Sequence, residues 1–239
     1  MSQEPSRPEK YPMTSLEDVV RRRHSTRQFL SDRQVPRHVL NDALELAMRA
    51  PSNSNSQPWE VYFVGGEQLR KLSAALLTAV DAHPPTLASA GLPDRFADRR
   101  RESGALIYGA MGIARDDQKG RWAAQRRNWE FFGAPIGGIV CMHRECGPLD
   151  AVGVGMFLQT FLLSLTEQGV DSCVQVSIAL YDSVLRRQLG IPEELAILCG
   201  MSIGYADPAF AANNVRLPRD HLDSHVTWLT ADAPPERPT

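Results

Sequence analysis

The sequence predicts a single domain of α/β type, and three observations carry that prediction. Short strand-like runs alternate with long helical stretches along most of the 239 residues. One helix near 151–168 is apolar almost all round, which marks it as buried against the rest of the chain or another subunit. No internal repeat and no clean linker divides the chain, and 43% hydrophobic with 23% charged residues is ordinary for one globular core.

Each element follows from its residues. Residues 1–13 are polar and Pro-rich and are expected to be a flexible lead. Thr14 and Ser15 then precede Glu17 and Asp18 at capping-box spacing, and Leu16, Val19, Val20 and Arg23 share a helical face. A second helix places Pro36 in its first turn, repeats Val39, Leu40, Ala43, Leu44 and Ala47 at helical spacing, and is stopped by Pro51. Trp59, Val61 and Phe63 alternate with Glu60, Tyr62 and Val64 in a strand that ends at a Gly-Gly turn.

A helix over about 67–80 comes next. The stretch 83–132 mixes Pro, Gly and charge with short helical pieces, and is expected to form a lid. A strand starts at Ile136, and the apolar helix ends at Gly169. A strand over about 170–176, a helix over about 180–189 stopped by Gly190-Ile191-Pro192, and a strand from Leu195 complete a domain spanning 14–230. Residues 231–239 read as a flexible tail.

Composition excludes several functions. With 26 basic against 28 acidic side chains, the surface as a whole is not built for nucleic acid, so any anion site is local. Cys141, Cys146, Cys173 and Cys199 form no Cys-x-x-Cys pair and read as reduced thiols of a cytoplasmic protein. The apolar run within 151–170 contains Gln159, Thr160 and Ser164 and falls short of a membrane span. His221 and His225 stand four apart without a further ligand nearby, so no metal is expected. Gly153-x-Gly155 lacks the third glycine and the strand context of a dinucleotide turn, and close helix packing explains it better.

Two stretches carry chemistry. Arg23-His24-Ser25-Thr26-Arg27 gathers two guanidinium forks and two hydroxyls, a donor set for a phosphate and its polyol; taken alone, it reads more readily as a solvated cationic helix end. Between Ala50 and Trp59, six consecutive amide and hydroxyl side chains from Ser52 to Gln57 exceed what one turn needs and suit the edge of a planar heterocycle.

Together the two stretches resemble the FMN-dependent nitroreductases, whose Arg-x-Ser-x-Arg/Lys motif and later Pro-Ser-x-x-Asn-x-Gln-Pro-Trp appear here as "RHSTR" and "PSNSNSQPW". The likeness continues through "NWEFFGAP", "GMFLQTFLLSLTEQGVDSCVQ", "LRRQLGIPEELAILCGMSIGYADP" and "VRLPRD", covering most of 16–220. It implies an α+β nitroreductase-like fold, with a mixed central sheet flanked by helices, in an intertwined homodimer whose C-terminal segment crosses to the partner. FMN would lie at the subunit interface. Arg23 and Arg216 would hold its phosphate, Ser25 its ribityl chain with His24 in the same stretch, and Arg27 the pyrimidine edge. Pro51, Ser52, Asn53 and Asn55 would approach from the other subunit, Asn128 would bond the ring edge, and the backbone of Gln175, Val176 and Ser177 would run beside N5.

The implied reaction is two-electron, ping-pong hydride transfer from NAD(P)H to a nitroaromatic, with no catalytic acid or base side chain. The basic lid favours NADPH over NADH. Quinones, enones and halogenated aromatics are alternative acceptors on the same fold. A reading from another class makes Arg21–Arg27, 99–101 and 126–127 a basic surface for nucleic acid. This chain departs from the family pattern at Asn214, Gly153, Thr160 and Val174. In the lid, Tyr108, Trp122, Trp129, Phe131 and Phe132 offer stacking walls for a flat ligand or simply core.

Overall fold

A computed structural model describes residues 15–86 and 93–229. The expected flexible lead over 1–13, Thr14 of the expected cap, and the tail over 231–239 lie outside the described residues. Four strands, β1 (Trp59–Gly65), β2 (Ile136–His143), β3 (Asp171–Gln175) and β4 (Leu195–Gly204), form one sheet in the order β1-β2-β4-β3. Every neighbouring pair in it is antiparallel. Parallel pairing, which the implied mixed sheet requires, is confined among the described residues to an isolated bridge between Ser25 and Ser172.

The sheet is covered on both faces, and β2 shows why its sequence is apolar throughout. Ile139 and Cys141 join the cluster built with α3 (Gly66–Ala82) and α8 (Asp182–Leu189). Val140 and Met142 point the other way, into the cluster built with α2 (Arg37–Ala47) and α6 (Pro148–Glu167). A period of two thus meets two dry faces, and no position is left for a polar residue. Gly137 serves this packing, since a Cβ there would stand 2.8 Å from the Phe131 ring.

The helices begin and end for local reasons. Ser15 caps α1 (Leu16–Arg22), its hydroxyl accepting the Asp18 N–H at 3.1 Å. Pro36 precedes α2 as its cap residue instead of sitting in its first turn, and α2 ends at Ala47, before Pro51 can act. In α6, Pro148 takes the first turn, and the Asp150 carboxylate accepts the Gly147 N–H at 2.9 Å. Gly169, at φ 74°, adopts the left-handed turn beyond its end. The helix expected over 180–189 is α8, and a short helix that the sequence did not signal, α7 (Val176–Ala179), precedes it.

The length argument against a membrane span needs correcting, although the expectation of a buried helix stands. Because α6 starts at Pro148, it is 20 residues long with mean hydropathy 1.5, enough in length and composition to cross a membrane. Packing argues otherwise: Val154, Phe157, Phe161 and Leu165 are buried in the core beneath the sheet. The opposite side of α6 leaves Leu149 77% and Val152 59% exposed. The expected lid region contains α4 (Ala97–Ala110), α5 (Gln118–Arg126) and a 3-10 segment, Arg127–Gly133.

Candidate functional site

Beyond α1 the chain turns extended at Arg23 and lies against β3. Ser25 bridges Ser172, and the Thr26 N–H donates to the Ser172 carbonyl at 3.0 Å. Extended backbone alternates its side chains, so Arg23, Ser25 and Arg27 share one side while His24 and Thr26 share the other. Cys173 registers the trio: burial pushes its thiol pKa up, and the Arg27 charge, a Ser25 hydrogen bond and the Arg23 charge partly offset the rise. Thr26 is fully buried. His24 stands apart from the trio, with Nδ1 2.8 Å from the Arg22 carbonyl and Nε2 3.5 Å from Thr26 Oγ1.

Two residues that sequence reasoning missed hold this segment in place. Buried Asn213 accepts the Arg27 N–H at 2.7 Å and donates to the carbonyls of Gln28 and Asp207 at 2.8 and 3.0 Å. Arg127 turns inward, donating from Nη2 to the Arg27 carbonyl at 2.7 Å and to Gln28 Oε1. Its burial pushes the guanidinium pKa down, with Glu130 opposing. The Asn213 carbonyl also accepts from Arg216 Nη1 at 2.9 Å, which ties the expected phosphate-binding Arg216 to the Arg27 strip. In sequence Asn213 is one of two adjacent asparagines, and Arg127 one of two adjacent arginines; nothing local separates the inward member from the outward one.

A cavity of about 1040 Å³ opens beside the strip, at the upper end of the size expected for a small-molecule site. Arg27, Asn128, Phe132, Cys173 and Val174 line it together with Tyr108 of α4. Asn128 donates from Nδ2 to the Gln125 carbonyl at 2.9 Å, and its own carbonyl accepts from Gln175 Nε2 at 2.7 Å. Gln175 Oε1 in turn accepts from Ser202 Oγ, so this buried carboxamide is satisfied at both ends. Val176 and Ser177 form the first turn of α7, where backbone N–H groups have no intrahelical acceptor. The Ser177 carbonyl accepts the Trp129 indole N–H at 3.3 Å.

Of the lid aromatics, Tyr108 and Phe132 line the cavity, whereas Trp129 and Phe131 are core and Trp122 packs on Trp129. Phe131 and Phe132 both adopt left-handed backbone at φ 50° and 53°, a costly conformation for bulky residues that the surrounding core must enforce. The other non-glycine residues at positive φ among those described are Ser54, Asn55 and Gln57. Backbone strain thus concentrates in two segments, both singled out by sequence.

The loop holding Pro51, Ser52, Asn53 and Asn55 does not line this cavity. Its Ser52 hydroxyl accepts the Gln57 N–H at 2.9 Å, and its backbone rests on α6 where a Cβ on Gly153 would stand 3.2 Å from Ser52 Cβ. Gly153 is therefore needed for close approach, as expected, while Gly155 faces open space. Within one protomer the two chemistry-bearing stretches are not brought together.

Four of the nine arginines in the runs read as a basic surface are paired with carboxylates. Arg21 pairs with Glu17, Arg99 with Asp220, Arg101 with Asp98, and Arg126 with Asp81 and Glu130. Arg23, Arg27 and Arg216 differ in having no carboxylate partner among the described residues. His225 Nε2 lies 3.0 Å from Asp220 Oδ2.

The geometry has counterparts among known proteins. A family model described as "Nitroreductase family" matches residues 20–205. A 4-nitrobenzoate reductase of Nocardioides sp. (strain LMS-CY) is 36% identical, covering 91% of each chain. The crystal structure of an FMN and NADPH-dependent nitroreductase NfnB from sphigopyxis sp. strain HMH superposes with TM-score 0.86 at 34% identity, covering 91% of this chain and 100% of that one. The FMN-dependent NfnB of Mycobacterium smegmatis, solved in complex with NADPH, gives 0.81 at 32% identity over 89% of this chain and 96% of its own.

Proposed function

The chain belongs to the nitroreductase family, and from that premise we propose that it is an FMN-dependent enzyme that oxidises NADPH and reduces nitroaromatic compounds. The single observation that carries the proposal is the convergence of Arg23, Ser25 and Arg27 on one side of an extended strip beside the cavity. Their donors fit FMN: partly buried guanidinium groups without carboxylate partners suit a phosphate and an electron-rich ring edge, and a hydroxyl lies between them.

In this assignment Arg23 and Arg216 bind the phosphate, Ser25 the ribityl chain and Arg27 the pyrimidine edge, where its charge favours added electron density. FMN held by these residues would supply the hydride chemistry between NADPH and the acceptor, in the ping-pong order we propose. Asn128 and the free N–H groups of the first α7 turn orient the ring edge. Asn213 and Arg127 hold the strip rigid, which keeps the donors at fixed positions. No side chain is required as a proton donor. α4 and α5 act as the lid that keeps water from the cavity.

The remaining donors, Pro51, Ser52, Asn53 and Asn55, complete the site from a second subunit. Support for a homodimer is the apolar side of α6 left open by the single protomer, flanked by exposed Leu16 and Val20 of α1. The four free thiols fit a reducing cytoplasm.

Purified protein tests the reading directly. It should be yellow and should bleach anaerobically with NADPH, and Arg23→Ala should lower its FMN content several-fold, about what losing one charge-assisted phosphate contact implies. A colourless protein that takes up no FMN would overturn the proposal.

A further inference from the structure

The cavity wall made by α4 and α5 carries positive charge that the FMN assignments leave unused. Arg100, Arg101, Arg115 and Arg121 line it against a single acid, Glu102. Arg101 is engaged by Asp98. Arg121 has no carboxylate partner among the described residues, yet it is held: its guanidinium lies 4.2 Å from the centroid of the Tyr108 ring, and the Tyr108 hydroxyl accepts from Gln125 Nε2 at 3.2 Å.

Arg100, Gly104 and Tyr108 stand four residues apart on α4 and so form one row along its surface. Gly104 leaves room in that row, with Arg121 Nη2 4.0 Å from where its Cβ would stand. Arg100 and Arg121 therefore face one strip of the cavity, beside the apolar side chains of Ile107, Met111 and Phe132. Flat apolar walls next to a stacked, unpaired guanidinium fit an aromatic ring bearing an anionic substituent.

We propose that Arg121, backed by Arg100, recognises a carboxylate on the aromatic acceptor, so that the enzyme selects carboxylated nitroarenes over neutral ones. The proposal rests on the nitroreductase reading and adds its specificity-determining residues. NADPH carries a 2′-phosphate of similar chemistry, so the test must separate the two sources of anion.

Calorimetric titration of the FMN-loaded protein with benzoate and with benzamide measures the anion preference without turnover. Benzoate should bind about 10-fold more tightly or better, Arg121→Gln should abolish the difference, and Arg121→Lys should restore part of it. In steady-state assays Arg121→Gln should lower kcat/KM for 4-nitrobenzoate about 10- to 100-fold while leaving that for 4-nitrobenzamide and the KM for NADPH within about 2-fold. Should Arg121→Gln lose flavin or melt early, Arg100→Gln and Arg121→Lys carry the same comparison.

A rise in the NADPH KM with acid and amide affected alike would overturn the proposal in favour of the coenzyme phosphate. Equal binding of benzoate and benzamide by the wild type would also overturn it, even if both nitroarenes are reduced. A benzoate preference lost in Arg121→Gln would uphold the anion site even if neither nitroarene is reduced, and the nitroreductase reading alone would then fall.

Discussion

Asn213 shows how much one buried side chain can carry. Its carboxamide satisfies the Arg27 N–H and two carbonyls from separate parts of the chain, and its own carbonyl anchors Arg216. Asn213→Ala leaves the Arg27 N–H and those two carbonyls without their partner, while the backbone carbonyl that holds Arg216 is kept, at a cost of about 2–4 kcal/mol. Urea denaturation should show that loss together with weaker FMN retention; full stability would remove Asn213 from its role as the clamp. The thiols make a second prediction. Burial, with Glu60 adding to it, pushes Cys141 up to about 12, and burial pushes Cys199 up to about 11. A thiol whose pKa is raised in the folded state stabilises the fold fully below its unfolded value and loses that contribution as pH climbs towards the folded one. Unfolding free energy should therefore fall from about pH 9 upward, by at most about 1.4 kcal/mol per pH unit for each thiol, and melting temperatures should fall with it. Cys141→Ala should flatten the slope, and an unchanged slope would refute the assignment.

At the level of elements, the contact between α6 and the Ser52 loop gives a sharp test. A Cβ on Gly153 would already stand 3.2 Å from Ser52 Cβ, so Gly153→Val must push the loop away from α6. Overpacking of this kind costs about 1–3 kcal/mol. If the loop completes the FMN site, flavin dissociation followed by fluorescence should quicken several-fold or more; an unchanged rate would detach the loop from the cofactor. These elements were readable in the sequence to different depths. The strands of the sheet were legible because alternation in Trp59–Val64 and continuous apolarity from Ile136 reflect one or two dry faces directly. The α2 boundary was misread because Pro36 is compatible with both a cap and a first-turn position, and α7 was missed because four residues are too few to show a helical period. In the site, Arg23, Ser25 and Arg27 were legible because extended spacing puts them on one side. Asn213 and Arg127 were not, since their roles depend on contacts with residues 186 and 100 positions away.

The whole molecule raises the question of what completes it. One protomer places the Arg23–Arg27 strip at the cavity and the Pro51–Asn55 loop on α6, away from the cavity lining, although both carry donors suited to one flavin. The same protomer leaves Leu149, Val152 and Met156 exposed along α6, with Leu16 and Val20 beside them on α1. Leu149, Val152 and Met156 recur at helical spacing, so they form a stripe on one side, and a contiguous apolar patch of this kind marks an association surface. If the proposed homodimer has its twofold axis through that stripe, the patch is self-complementary, and each loop gains a route to the other subunit's cavity. The consequence is a linkage between assembly and cofactor: charge placed in the stripe should cost both. Val152→Glu puts two carboxylates, one from each subunit, into the apolar contact. Sedimentation should then show a monomer, and the monomer should lose most of its FMN although no residue proposed to bind the flavin has been altered. Thermal melting in excess FMN separates this from simple misfolding, since a folded monomer still unfolds cooperatively at a lower temperature. A Val152→Glu protein that stays dimeric would place the interface elsewhere on the molecule, and a folded monomer that keeps its flavin would show that one protomer's donors suffice.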